Sequence, residues 1–78
     1  MINYYKFRVS YYKIDTDSKY FTQVTDAEDA SSVGVYKNEK AFTSISKIAS
    51  DNADGEWIVI SEEGFNFVKQ NILNKINQ

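Results

Sequence analysis

The sequence predicts an α+β fold in one small domain spanning residues 1–78, with element order β-β-α-β-α. A three-stranded antiparallel sheet in the order 2-1-3 is expected to carry two helices packed on one face. Three observations lead there: a period-two run over residues 3–14, two stretches with apolar residues at helical spacing, and a short continuous apolar run between them.

Residues 3–14 alternate, with Tyr5, Phe7, Val9 and Tyr11 on one side and Tyr4, Lys6, Arg8, Ser10 and Tyr12 on the other. Aromatic and β-branched residues at period two predict a half-buried strand. Asp15-Thr16-Asp17-Ser18 is a turn cluster, and residues 19–25 read as the returning strand of a hairpin. Thr25-Asp26-Ala27-Glu28 has capping-box spacing and predicts a short helical turn over 26–32, ended by Gly34.

Asn38 is placed to cap a helix running to about Ser50, in which Ala41, Phe42, Ile45, Ile48 and Ala49 form one stripe. Asp51-Asn52-Ala53-Asp54-Gly55 supplies turn chemistry. The run Trp57-Ile58-Val59-Ile60 predicts a strand covered on both faces, laid beside residues 3–14 by a right-handed crossover. Ser61 caps the last helix, Glu62 and Glu63 suit its positive first turn, and Phe65, Val68, Ile72, Leu73 and Ile76 form its stripe. The expected core is Phe7, Val9, Ile45, Ile48, Trp57, Val59, Phe65 and Ile72.

Composition narrows the chemistry. The 78 residues contain neither histidine nor cysteine. The side chain that titrates nearest neutral pH and the strongest neutral-pH nucleophile are therefore both missing, which removes the usual triads, zinc and iron–sulfur sites, disulfides and thiol switches. A chain this short buries only about 60% of its unfolded surface. With no staple available, packing of its aromatic residues, 15% of the total, has to hold the fold. Nine basic and eleven acidic residues give a net charge of −2, too weak a field to make nucleic acid the default partner. The charges are unevenly placed: residues 1–14 hold Lys6, Arg8 and Lys13 without an acid, whereas residues 15–29 hold five acids against Lys19. No apolar run reaches the ~20 residues of a membrane span, and a soluble, cytoplasmic protein is expected.

Two features mark candidate partner-binding residues. If helices cover one sheet face, Tyr4, Lys6, Arg8 and Tyr12 form an exposed stripe of aromatics and cations on the other. Such a stripe suits an acidic protein surface, stacked single-stranded bases, or simply solvent. Phe67 falls about 160° from the buried stripe of the last helix, where a polar residue belongs.

Other patterns are weaker. Asp15-Thr16-Asp17-Ser18 starts like a calcium loop, yet the sixth position is Tyr20 and the twelfth Asp26, where a glycine and a bidentate glutamate are required. Ser44-Ile45-Ser46-Lys47 and Ser10-Tyr11-Tyr12-Lys13 have Ser-x-x-Lys spacing without its companion motifs. Tyr36 and Lys40 have Tyr-x-x-x-Lys spacing without a glycine-rich nucleotide loop, and Glu62-Glu63 is explained by its first-turn position.

The leading expectation is therefore a non-enzymatic module without cofactor or metal, which binds a larger host protein as an inhibitor or regulator. Small size, heavy use of Asn, Ile, Tyr and Lys, and the absence of Pro suit bacteriophage and mobile-element proteins, an association only. The alternative is a nucleic-acid-binding module using the first strand. A third reading is a structural or assembly subunit that forms a homodimer through Phe67.

Overall fold

A computed structural model describes residues 1–77. Five strands and two helices follow one another: β1 (Ile2–Phe7), β2 (Ser10–Asp15), β3 (Tyr20–Asp26), β4 (Ser31–Tyr36), α1 (Glu39–Asp51), β5 (Trp57–Val59) and α2 (Glu62–Ile76). All strands join one antiparallel sheet in the order β4-β3-β2-β1-β5. The α+β class and the two helices agree with the sequence; three strands in the order 2-1-3 do not.

The difference begins at residues 3–14, which form a hairpin instead of one strand. An unbroken strand of that length would span about 40 Å, more than the molecule's longest dimension of 35 Å. The chain reverses at Arg8-Val9, where Arg8 takes the left-handed conformation (φ 55°), uncommon outside glycine. Phe7 then faces Ser10 across the turn, and Tyr5 faces Tyr12. A two-residue loop puts odd positions of β1 and even positions of β2 on the same face, so the alternation changes phase at the turn. That change moves Tyr12 to the face expected for Phe7, and Tyr11 to the face of Tyr4. The expected pairing of the 57–60 run with the first segment is found, as Tyr5↔Val59, Lys6↔Ile58 and Phe7↔Trp57.

The second difference is β4. Thr25-Asp26-Ala27-Glu28 does not start a helix; Thr25 and Asp26 stay in β3, a short loop follows, and Ser31–Tyr36 returns along β3. Strand pairing prevails over the local cap signal. Gly34 fits because the Tyr36 ring lies over it: a Cβ there would sit 2.9 Å from ring atoms. The ring continues onto Phe21, stacked at 4.9 Å.

The helices pack on opposite faces of the sheet, not on one. Tyr12, Ile14, Phe21 and Trp57 meet Phe42 and Ala49 of α1, with Tyr5, Phe7, Ala41 and Ile45 at the margin. On the other face Val24 meets Phe65 and Ile72 of α2, with Tyr4, Tyr11, Val33, Ile60 and Val68 around them. The physical reason is the phase change at Arg8-Val9, which gives both faces apolar residues, and each then needs a cover. The expected core changes accordingly. Trp57, Phe65 and Ile72 are buried, while Val9, Ile48 and Val59 are exposed. The 57–60 run is not covered on both faces: β5 is an edge strand, and only Trp57 is buried within it.

Both helix caps form as the sequence predicts. The Asn38 side chain accepts the Ala41 N–H at 3.1 Å, and Ser61 Oγ accepts the Gly64 N–H at 2.9 Å. Asn52 ends α1 in the left-handed conformation. Its side chain donates to the Trp57 carbonyl at 3.1 Å and accepts the Trp57 N–H at 3.0 Å. This two-bond clasp fixes where β5 starts and aims Trp57 into the core.

Candidate functional site

The anticipated Tyr4/Lys6/Arg8/Tyr12 stripe does not form. Tyr12 is buried under α1 on one face, its ring 4.9 Å from that of Trp57, and burial pushes its phenol above the ordinary value. Tyr4 and Lys6 belong to the opposite face. Tyr4 packs on Phe65 at 5.5 Å between ring centroids, and the Lys6 ammonium lies 5.7 Å from the centre of the Tyr11 ring. Arg8 occupies the hairpin tip and donates two hydrogen bonds to Glu56 Oε2, at 3.0 and 3.3 Å. Phe67 does point outward as expected, 69% exposed, but on the helix that covers the face opposite α1.

A different set of residues comes together where the hairpin tip meets the end of α1. Phe7, Val9, Tyr12, Ile45, Ile48 and Trp57 line an apolar groove of about 440 Å³. Val9 and Ile48 are each 51% exposed beside it. Val59, 76% exposed, shares the sheet face of Trp57 two residues along β5. The local sequence builds this surface directly. Tight reversal at Arg8-Val9 projects Val9 past the end of β1, helical spacing sets Ile48 one turn beyond Ile45, and the Asn52 clasp fixes Trp57 as the floor. The Arg8–Glu56 pair closes one rim. Among the described residues β5 has no strand along its outer edge, where the Asn52 side chain already takes the Trp57 N–H and carbonyl.

Sequence reasoning placed Val9, Ile48 and Val59 in the core because each continued an apolar pattern. One signal could have exposed the error. Twelve alternating residues are about twice the usual strand length, so a reversal inside the run was the economical reading.

The acidic turn has a structural role. Asp15 Oδ1 accepts the N–H groups of Asp17 and Ser18, both at 3.0 Å. The Ser18 N–H holds the Asp15 carboxyl below its ordinary value against the opposing effect of burial, with the Asp17 N–H and the Met1 ammonium adding to it. A carboxylate with a lowered folded-state pKa contributes stability above its unfolded value, and that contribution is lost as pH falls through the folded value. Wild-type stability should therefore fall more steeply below about pH 4 than that of Asp15→Asn, which keeps an acceptor oxygen but cannot titrate there. Parallel slopes in acid melts of the two proteins would contradict the assignment.

No group of three or more Asp or Glu side chains among the described residues is placed to hold a metal ion. Ser10 and Lys13 fall on opposite faces of β2 and cannot act together. Ser44 and Lys47 lie along the outer side of α1 with Glu39, Lys40 and Thr43. No helix among the described residues is long and apolar enough to cross a membrane. In comparisons with models of protein families, with curated proteins and with solved structures, nothing matches this chain.

Proposed function

We propose that this chain is a non-enzymatic protein-binding module that covers a functional surface of a larger protein, as an inhibitor or regulator does. The observation that carries this reading is the exposed apolar surface around Trp57. Three aliphatic side chains, Val9, Ile48 and Val59, stand exposed where a hairpin tip, a helix end and the β5 edge of the sheet meet. Grouped exposed apolar residues with a polar rim are a mark of protein interaction surfaces. A standard interface takes about 800 Å² from each partner, roughly a seventh of the 5313 Å² surface. One footprint of that size can include Val9, Ile48 and Val59 together. The nucleic-acid reading keeps less support, because the residues it needed side by side are divided between two faces and a turn.

The test is binding to the protein retained from a native-host lysate. Val9→Asp and Ile48→Glu should each weaken it about 30-fold or more, the loss of a hot spot at ~2 kcal/mol, without lowering the melting temperature. Unchanged binding by both variants would move the site elsewhere. Tight binding to single-stranded oligonucleotides that falls log-linearly with salt would favour the nucleic-acid reading instead.

A further inference from the structure

A second surface lies on the α2 side of the sheet, at the end away from the Arg8-Val9 turn. Lys13 and Thr22 are register neighbours, as are Thr22 and Val35, so the three form a row across β2, β3 and β4 on that face. This row floors a groove of about 620 Å³. Lys69 of α2, Lys19 of the β2–β3 turn and Lys37 just beyond β4 complete its walls. Four of the chain's nine basic residues thus converge from four places in the sequence, and none of its eleven acids joins them in the lining.

None of the four lysines is ion-paired among the described residues, where the ion pairs are Met1–Asp17, Arg8–Glu56 and Lys75–Asp26. The nearest acids on the adjoining turn are occupied, Asp15 by backbone N–H groups and Asp17 by the Met1 ammonium. An anion entering the groove would meet four lysines and no acid in its lining.

We propose that this groove binds a small anion with linked phosphate groups, as in a polyphosphate chain or a nucleoside polyphosphate. Lysine meets phosphate as a mobile point charge, whereas planar carboxylates are better matched by the arginine fork, which is absent here. The volume lies within the ~300–1,000 Å³ of small-molecule sites. Ser18 and Tyr20 add hydroxyl groups to the lining. A long nucleic acid needs a continuing track of cations, and none of the other five basic residues lines the groove; two of them, Arg8 and Lys75, are already paired. This inference is independent of the protein-docking surface, which lies on the other face.

The experiment is calorimetric titration of the whole chain with inorganic tripolyphosphate and with ATP, alongside amide chemical-shift mapping of the wild type. Saturable binding is expected, with shifts centred on residues 13, 19, 37 and 69. The double variant Lys13→Gln/Lys69→Gln should bind at least about 10-fold more weakly, while Lys40→Gln/Lys47→Gln on α1 behaves as wild type. Equal affinity for the two ligands assigns recognition to the phosphates alone, and tighter ATP binding adds contacts to the nucleoside. The proposal is overturned by absent or non-saturating binding, by shifts centred elsewhere, or by equal loss in the α1 variant. Tighter binding of an acidic peptide of matched charge, or of single-stranded DNA, would overturn it as well. The wild-type shift map decides the question even if the double variant fails to fold.

Discussion

Replacing Phe65 with alanine is expected to leave much of the protein unfolded at physiological temperature. Its ring is 1% exposed, packs with Val24 and Ile72, and touches Tyr4 at 5.5 Å. It therefore joins α2 to β3 and β1. Truncating a buried Phe costs about 3–5 kcal/mol, against the ~5–15 kcal/mol that a domain possesses. Phe67→Ala, two residues away on the exposed side of the same helix, should change stability by no more than about 0.5 kcal/mol. Thermal melts followed by circular dichroism measure both. A small effect at Phe65, or a large one at Phe67, would reverse the orientation of α2.

Trp57→Ala should be comparably severe. The indole meets Phe7 edge-on at 4.7 Å, Tyr5 edge-on at 5.9 Å and Tyr12 at 4.9 Å. Its loss removes about 3–5 kcal/mol, the aromatic pairing included. A three-residue edge strand has little else to hold it: the Asn52 clasp and pairing to β1 would remain, but the side chain that anchors them would be gone. Trp57→Phe should recover a cooperative melt at reduced temperature. A Trp57→Ala melt close to wild type would mean that the indole is not in the core. Because the same substitution removes the floor of the apolar groove, it cannot separate folding from binding, and the flanking residues Val9 and Ile48 are the better probes of function.

What the sequence disclosed depended on whether a residue's own chemistry or its distant neighbours decided its position. Asn38 and Ser61 cap their helices as predicted, since a cap is satisfied within three residues of itself. The stripes of Phe42/Ala49 and Phe65/Ile72 are likewise local, and both are buried. Arg8-Val9 carries none of the Asn, Asp or Gly chemistry of a two-residue hairpin loop, so the reversal was silent. Every assignment that depended on the phase beyond it was displaced, Tyr12 and Tyr11 above all. Thr25-Asp26-Ala27-Glu28 failed for the opposite reason: a sound local cap signal was overridden by β4 pairing along β3. The helices' placement on two faces follows from the hidden hairpin, and with it the exposure of Val9 and Ile48. The candidate surface was thus legible only after the turn was known, whereas the outward position of Phe67 was visible from the helical wheel alone.

The proposed contact of another protein with the surface around Trp57 can be trapped covalently. A photoactivatable crosslinking residue placed at Ile48, with a matched one at Thr43 on the outer side of α1, tests it most directly in the native host. A discrete heavier adduct from position 48 that contains one protein species, and none from position 43, is the expected result. Adducts of equal yield from both positions, or a discrete adduct only from position 43, would contradict it.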